Sequence, residues 1–224
     1  MTRKQMTPTR YPGFSNITFD AQQTFRGLLH ALSHPGSVTK LGVQLGHPGE
    51  LHPACAAACL TLLDIDTQVW VQPDFSSEVT DWLVFHTGCR FVDRSREADF
   101  ALVKQGQLLP SLTQFNWGTP EIPERSTTVL VQTNGFGANR SVDIQGPGIQ
   151  TQQDIALGEL PACFWSEWQE NSLSYPLGID MLWFCDRHVI GLPRTSRLAT
   201  LPQDSATPQA NASRENTEVT PCLT

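Results

Sequence analysis

The strongest chemical signal in this sequence is a cluster of two arginines and two hydroxyl residues near its last apolar segment. The four residues are Arg194, Thr195, Ser196 and Arg197. Guanidinium groups bind carboxylates and phosphates through paired hydrogen bonds, and neighbouring hydroxyls add further donors. The cluster follows two apolar runs, 179–185 and 189–192, which a short polar turn joins into a predicted β-hairpin. It could hold an anionic ligand or a partner's carboxylate, and the alternative is a solvated strand terminus.

Asp180 is the one carboxylate within the first of these apolar runs. A carboxylate that leaves water needs a hydrogen-bond donor, and Arg194 or Arg197 on the following segment could supply one. We interpret this pair as structural rather than catalytic. Asp180 still belongs with the arginine cluster as a candidate ligand-binding residue.

His86 is the best single candidate for acid–base catalysis, because it is titratable near neutral pH and precedes Gly88 at the end of a predicted helix. A histidine in the last turn of a helix is also favoured by the helix dipole without any catalytic role. The sequence shows no complete set of catalytic groups around His86. The catalytic residues therefore stay unknown at this point.

Four possible metal ligands lie within thirteen residues: His47, His52, Cys55 and Cys59. No C-x-x-C pair is present, and the two cysteines share one face of an Ala-rich helix that is typical of a core. We predict buried thiols and loop histidines here, with no bound metal. The glycine-rich segment 135–140 resembles a phosphate loop, but a strand rather than a helix follows it, which favours a hairpin connection.

The elements that would position these residues alternate between helix and strand early in the chain and form hairpins late. We predict helices at 18–34, 52–63, 76–86 and 161–172, with a short one near 111–115. Strands are predicted at 37–43, 68–72, 90–92, 100–103 and 127–132, and a hairpin joins 142–145 to 150–157. This order predicts an α/β fold with a mixed sheet. The predicted organisation is an N-terminal tail at 1–13, one domain at 14–198 and a disordered tail at 199–224.

Composition excludes several classes of function. The net charge of -7 and the pI of about 5.3 argue against a nucleic-acid binder that works through a basic surface. No apolar run approaches the roughly 20 residues that cross a bilayer, and the N-terminus has no apolar signal region. The six cysteines show no disulfide framework. We expect a cytoplasmic protein with reduced thiols and no membrane partner.

Six tryptophans are many for a chain of this length. Trp82, Trp117 and Trp183 cannot all be fully buried in one small core, and partly exposed aromatics are typical anchors of interfaces. We therefore predict a homodimer when the chain is alone, with apolar surface for a partner subunit. The alternative is that these rings only line the edge of the core.

Six blocks of this sequence, in order, resemble the H subunit of the bacterial carbon–phosphorus lyase system, which breaks down phosphonates. The blocks are 25–36, 62–70, 86–88, 118–128, 146–149 and 175–197, with motifs such as His-Thr-Gly and Gly-Pro-Gly-Ile. Each block is short, but their order and spacing make the resemblance specific, and it covers about residues 14–197.

The resemblance implies a three-layer αβα fold like the large domain of pyridoxal-phosphate-dependent transferases, without the cofactor. It also implies partners, the G, I and J subunits of a core complex. That complex replaces the adenine of ATP with methylphosphonate and makes ribose 1-methylphosphonate 5-triphosphate. The absence of a cofactor agrees with the three lysines, Lys4, Lys40 and Lys104, since none lies in an obvious pocket loop.

The sequence leaves two other functions open. One is a self-contained enzyme that binds a nucleotide or phosphonate with His86 and the Arg194–Arg197 cluster. The other is a scaffold subunit without a ligand. We expect the isolated chain to be inactive in either the subunit or the scaffold case, because no complete acid, base and nucleophile set is visible.

Overall fold

The structure is a computed structural model that describes residues 11–137 and 141–199. These residues form four α-helices, α1 (Ile17–Ser33), α2 (Pro53–Leu62), α3 (Ser77–Thr87) and α4 (Phe164–Leu173). The strands are β1 (Gly13–Phe14), β2 (Thr39–Lys40), β3 (Leu45–Gly46), β4 (Gln68–Val71), β5 (Arg90–Phe91), β6 (Phe100–Val103), β7 (Thr128–Gln132), β8 (Val142–Gln145), β9 (Gln153–Ile155), β10 (Asp180–Cys185), β11 (His188–Leu192) and β12 (Arg197–Leu198). Short 3-10 helices are formed by Ser95–Glu97, Gly106–Leu108, Leu112–Gln114 and Pro123–Arg125. Most of the predicted N-terminal tail, and all of the predicted C-terminal tail after Ala199, lie outside the described residues.

A seven-stranded sheet in the order β2-β11-β10-β7-β6-β4-β5 forms the centre of the fold. The five strands from β10 to β5 run parallel, whereas β11 pairs antiparallel with β10 and β2 pairs antiparallel with β11. Strand β7 lies in the middle because its sequence, TVLVQ, is apolar and β-branched enough to be buried on both faces. The predicted mixed sheet is confirmed, and so is the hairpin of β10 and β11.

Helix α1 begins one residue earlier than predicted, and Asn16 caps its start. The side chain of Asn16 accepts a hydrogen bond from the Phe19 amide at 3.1 Å. The side chain of Asp20 accepts in return from the Asn16 amide at 2.9 Å. The two side chains together satisfy donors at the helix start in the manner of a capping box.

Helices α1, α2 and α3 cover one face of the large sheet. Helix α2 consists mainly of alanine and cysteine, and its residues 54–59 are buried on every side. Small side chains let it approach both the sheet and the two outer helices. Helix α1 also lies close to the sheet: a Cβ atom at Gly191 would come within 2.4 Å of the Ala31 carbonyl oxygen.

The other face of the large sheet is covered by α4, by 3-10 helices and by a second sheet. This second sheet has three antiparallel strands in the order β12-β8-β9. The αβα prediction is therefore correct in having helices on a mixed sheet, but one outer layer is part helix and part strand. The predicted hairpin of 142–145 with 150–157 is confirmed as β8 and β9, although β9 is limited to Gln153–Ile155. The third strand was not predicted, because the two residues of β12 carry no periodicity.

As the sequence predicted, Trp82, Trp117 and Trp183 are not all fully buried. Trp82, Trp168 and Trp183 are fully buried, and Trp117 is half-buried. The exposed apolar side chains lie elsewhere, above all on α1, where Phe25 is 51% exposed. Among the described helices, none is both long enough and apolar enough to cross a membrane.

Candidate functional site

Arg194 and Asp180 form an ion pair at the edge of the large sheet where β7 and β10 begin. Asp180 is the first residue of β10, and Arg194 follows the end of the antiparallel strand β11. The Arg194 Nη2 atom lies 2.5 Å from Oδ2 of Asp180, and Nε lies 3.1 Å from the same oxygen. The amide of Arg194 also donates to Asp180 Oδ1 at 2.8 Å. The pairing predicted from the sequence is confirmed.

The guanidinium group of Arg194 has no hydrogen-bonding capacity left for a ligand. Its Nη1 atom donates to the carbonyl oxygens of Pro123 and Pro176, each at 3.2 Å, and Nη2 also donates to Ser126 Oγ at 2.5 Å. With the bonds to Asp180, all five donors of the group are in use. The side chain is only 12% exposed. The ion pair therefore connects the segments that precede β7 and β10 with the segment that follows β11.

Arg197 and Thr195 line a surface cleft of about 450 Å³. The remaining lining residues are Gln145, Gly146, Pro147, Ser172 and Tyr175. Arg197 lies in β12, paired with Gln145 of β8. Its side chain is exposed and has no hydrogen-bond partner within the described residues. A free guanidinium beside a hydroxyl can bind a phosphate or a carboxylate.

Ser196 does not share this cleft. It is buried, and its carbonyl oxygen accepts a hydrogen bond from the Trp168 indole at 3.0 Å. The structure thus divides the predicted cluster into two parts. Arg194 and Asp180 form a saturated ion pair, and Thr195 and Arg197 face an open cleft.

His86 lies in the last turn of α3, where its ring anchors the segment that precedes β1. The Nε2 atom lies 3.0 Å from the carbonyl oxygen of Tyr11. A carbonyl oxygen only accepts, so Nε2 carries the proton in this bond. The ring also packs against Trp82, with ring centroids 5.1 Å apart. These contacts account for the histidine structurally, and they leave its proposed catalytic role without a nucleophile or carboxylate partner among the described residues.

The four possible metal ligands do not converge. Cys55 and Cys59 are fully buried in α2, and burial raises the pKa of the Cys55 thiol, which hydrogen-bonds to Cys59. His47 contacts the Pro48 carbonyl at 2.9 Å, and His52 Nδ1 accepts from the Asp186 amide at 2.8 Å. Within residues 11–137 and 141–199, no group of three or more His, Cys, Asp or Glu is arranged to hold a metal ion.

The glycine-rich segment after β7 is described only as far as Gly137. Strand β8 follows it, as predicted, but β7 and β8 lie in different sheets. The interpretation as a hairpin connection was therefore wrong: the segment carries the chain from the large sheet to the small one. The Gly137 amide donates to the carbonyl of Ala156 next to β9, which holds the loop against the small sheet.

Sequence analysis missed a polar network at the opposite edge of the large sheet, where the parallel strands end. Lys104, directly after β6, places Nζ 2.5 Å from Glu50 Oε2 and 2.8 Å from the Asp74 carbonyl oxygen. Gln132, the last residue of β7, donates to the Glu50 carbonyl at 3.0 Å and accepts from the His52 amide at 2.6 Å. The sequence did contain a signal for this network, namely polar residues at or directly after the ends of buried strands. The carboxyl ends of parallel strands meet at one edge of the sheet, so these residues could have been expected to lie together.

Two pKa shifts belong to this network. The hydrogen bond from Lys104 is the main cause that lowers the pKa of Glu50, and Ser76 adds to it. Burial lowers the pKa of His52, which favours its neutral form even though Asp186 acts in the opposite direction. A neutral His52 fits the observed bond, because Nδ1 can accept from the Asp186 amide only while it is unprotonated.

Residues 12–199 match the model of the family described as bacterial phosphonate metabolism protein, PhnH. This match spans both edges of the large sheet and the whole small sheet. The chain belongs to the PhnH family. The resemblance to the H subunit seen in the sequence is confirmed, because that subunit is the one the family model describes.

Two curated relatives agree with the PhnH family assignment. A protein of Rhizobium meliloti, named alpha-D-ribose 1-methylphosphonate 5-triphosphate synthase subunit PhnH, is 37% identical over 186 residues. These residues cover 83% of the present chain and 93% of the relative. A putative C-P lyase subunit protein, HtxG, of Stutzerimonas stutzeri is 27% identical over 177 residues, which cover 79% of the chain and 85% of that protein.

Proposed function

We propose that this protein is a subunit of the carbon–phosphorus lyase core complex and is needed to make ribose 1-methylphosphonate 5-triphosphate. In this reaction methylphosphonate displaces adenine from ATP, which is a transferase step. The observation that carries the proposal is the Rhizobium meliloti relative, whose name states this product and whose length is almost completely matched. The second relative is also named as a subunit of a C-P lyase.

Within the complex the chain acts as a supporting subunit rather than as the source of the catalytic groups. The best acid–base candidate, His86, is hydrogen-bonded to the Tyr11 carbonyl. The guanidinium group of Arg194 uses all of its donors on groups of the same chain. A displacement at the ribose carbon needs groups that touch the leaving base and the incoming phosphonate. We assign these groups to the partner subunits, and we expect the isolated chain to release no adenine.

The surface that we propose for a partner subunit is the outer side of α1. Phe25 and Leu29 lie one helical turn apart there and are 51% and 56% exposed. Ile17 and Phe19 add two more exposed apolar side chains at the start of the helix. The neighbouring pair Phe25 and Leu29 forms a small apolar patch, which is typical of an interface, since the core of an interface is depleted of charge. We propose the G, I or J subunit as its occupant, and a second copy of the chain when the others are absent.

Co-purification tests the subunit assignment directly. We expect the full-length chain, co-expressed with tagged G, I and J subunits, to be retained with them, and to be a dimer in light scattering when alone. A double substitution, Phe25→Asp with Leu29→Asp, should abolish retention because it places two charges in the apolar patch. Leu173→Asp, on the exposed side of α4, is the matched control and should be retained. Failure of the wild-type chain to co-purify, together with a monomer in solution, would overturn the assignment.

A second candidate function is anion binding in the Arg197 cleft, which would make this subunit a contributor to the substrate site. The free guanidinium of Arg197 and the hydroxyl of Thr195 favour this function. Asp180, Arg194 and Ser196, which the sequence grouped with them, would then act only through the shape of the cleft. Titration of the chain with ATP and with methylphosphonate tests it: binding that Arg197→Ala removes and Arg125→Ala retains supports the cleft, and no binding to either compound excludes it.

Two finer proposals follow from the family resemblance. We propose that the large sheet and its helices are related to the large domain of pyridoxal-phosphate-dependent transferases, without a Schiff-base lysine in the part of the chain that the structure describes. Lys104, at the carboxyl edge of the sheet, supports this because its amino group is held by Glu50. Incubation with pyridoxal phosphate should therefore give no aldimine absorbance.

We also propose a cytoplasmic location, which fits the free thiols of the described cysteines.

A further inference from the structure

A small cleft lies where the parallel strands β6 and β7 end, at the edge of the sheet opposite to the Arg194 ion pair. Its volume is about 140 Å³. Three glycines line it together with Gln105, Gln107, Thr133, Asn134 and the exposed residue Glu159. The carboxyl ends of parallel strands are the usual place for ligands in open α/β sheets. The cleft is distinct from the Arg197 cleft, since the two share no lining residue.

Thr133 gives this cleft an unused hydrogen-bonding group. The residue is only 5% exposed, yet its hydroxyl has no hydrogen-bond partner in the structure. The space around it depends on Gly158, because a Cβ atom there would lie 2.2 Å from Thr133 Oγ1. The hydroxyl is not one of the sealed, unpartnered side-chain atoms of the described residues, which are Thr24 Oγ1 and Trp183 Nε1. Its oxygen is therefore reachable from the cleft, and a bound group could pair with it.

The other lining groups are neutral donors and acceptors, with a single carboxylate. Gln107 Nε2 donates to Gln105 Oε1 at 3.0 Å, which leaves the amide hydrogens of Gln105 without a partner in the described residues. The carboxylate of Glu159 forms no ion pair with a described residue. The nearest cation along the chain, Lys104, is already held by Glu50 and the Asp74 carbonyl.

This chemistry selects a neutral polyol over an anion. A phosphate or phosphonate in the cleft would meet Glu159, and none of the described residues that line the cleft is a cation that could offset the repulsion. Adjacent hydroxyl groups suit it better, because each can donate to a carboxylate or carboxamide oxygen and accept from a carboxamide or hydroxyl. The volume admits one small ring and excludes a whole nucleotide, since pockets for ligands of that size exceed about 300 Å³.

We propose that this cleft binds the adjacent hydroxyl groups of a pentose ring, with Glu159 and Thr133 as the groups that recognise them. The inference rests on the proposed function, because the product named for the Rhizobium meliloti relative contains a ribose. It goes further by giving this subunit a direct contact with the sugar part of a substrate, while the charged parts extend out of the cleft.

Amide chemical shifts of the full-length chain, titrated with methyl β-D-ribofuranoside, test the proposal. This probe is uncharged, so it separates sugar recognition from anion binding. We expect saturable shifts at residues 105–107, 133–135 and 158–159, with half-saturation on the order of 1–10 mM for a ligand of this size. Glu159→Gln and Thr133→Val should each raise the half-saturation concentration about tenfold. The wild-type chain should bind the 2-deoxy analogue about as weakly as these variants bind the riboside.

Glu170→Gln is the matched control for the carboxylate, because Glu170 is an exposed residue of α4 outside the cleft. It should bind the riboside like the wild-type chain. The proposal is overturned if the riboside causes no saturable shift, if the 2-deoxy analogue binds equally well, or if only phosphorylated sugars bind. Co-purification with the partner subunits is measured on the same variants. If sugar binding fails while the wild-type chain is still retained by its partners, the pentose site alone is wrong and the subunit assignment stands.

Discussion

The two ends of strand β7 lie at opposite edges of the large sheet, and each is followed or preceded by a buried threonine in a different hydrogen-bonding state. Thr127 precedes β7 and is fully buried, and its hydroxyl donates to the Ala98 carbonyl at 2.7 Å and accepts from the Asn116 amide at 3.1 Å. Thr133 follows β7, is almost as buried, and has an unpaired hydroxyl. The same residue type is thus completely satisfied at one end of the strand and left open at the other.

The charged groups are paired at both edges. At the amino edge, Arg194 uses all of its donors on Asp180, Ser126 and two carbonyls. At the carboxyl edge, Lys104 is held by Glu50, with both side chains 28% exposed, and it directly precedes Gln105 of the open cleft. Charge by itself is therefore a poor marker of a ligand site in this protein. The count of donors and acceptors that remain unused is a better one.

The largest effect should come from breaking the ion pair at the amino edge. Asp180→Asn or Arg194→Ala leaves a partly buried charge without its partner, and each should lower the free energy of unfolding by about 3–5 kcal/mol. Urea denaturation measures this loss. Arg197→Ala, which removes an exposed and unpaired guanidinium, should change stability by less than about 0.5 kcal/mol. Equal effects of Arg194→Ala and Arg197→Ala would contradict the division between the two arginines.

The two threonines allow the same comparison with an isosteric change. Thr127→Val leaves the Asn116 amide and the Ala98 carbonyl without their partner, and it should cost about 1–3 kcal/mol. Thr133→Val removes a hydroxyl that has no partner, so its effect on stability should stay within about 0.5 kcal/mol. Thermal unfolding of both variants in one buffer checks the difference. A loss at Thr133 as large as at Thr127 would mean that its hydroxyl is already paired.

The smallest effect should be a pH dependence that originates at His52 on the carboxyl edge. Burial lowers the pKa of this histidine in the folded state, so the unfolded chain takes up a proton first as the pH falls. The contribution of His52 to stability is then complete above its unfolded pKa of about 6.5, and it is lost as the pH falls through the lowered folded value. His52→Asn retains a side-chain acceptor for the Asp186 amide but cannot titrate.

Stability curves of the wild type and His52→Asn, measured between neutral pH and the onset of acid unfolding, isolate this contribution. We expect the wild type to lose more stability than the variant over that range. Parallel curves would show that His52 is not responsible. A steeper loss in the variant would reverse the sign and contradict a lowered pKa.

The sequence predicted the large sheet well because its strands carry strong local signals. Apolar runs bounded by glycine, proline or polar turns marked β4, β6, β7, β10 and β11. The Arg194 pair was also predictable, since a carboxylate in an apolar strand needs a donor. The β8–β9 hairpin of the small sheet was predicted as well. Its third strand was not, because β12 contains only two residues and its pairing with β8 depends on how the chain crosses between the layers.

The carboxyl-edge groups were missed for a related reason. Glu50, Lys104 and Thr133 are far apart in the sequence, and only the order of strands in the sheet brings their segments to one edge. The polar residues directly after β6 and β7 were visible as a signal, but which strands would be neighbours was not. The saturation of Arg194 was equally invisible, because two of its acceptors are carbonyls of the prolines at 123 and 176.

The burial of helix α2 has a consequence for the exchange of its backbone amide hydrogens with the solvent. A helix of ten residues would hardly persist by itself in water, and this one has no outward face, since six consecutive residues are buried between the sheet and the outer helices. Its hydrogen-bonded backbone amides can reach water only when the layers around them separate. The rate of hydrogen–deuterium exchange at these amides therefore reports the opening of the whole domain. We expect this exchange to be slowest in α2, although α2 by itself would be one of the least stable helices in water.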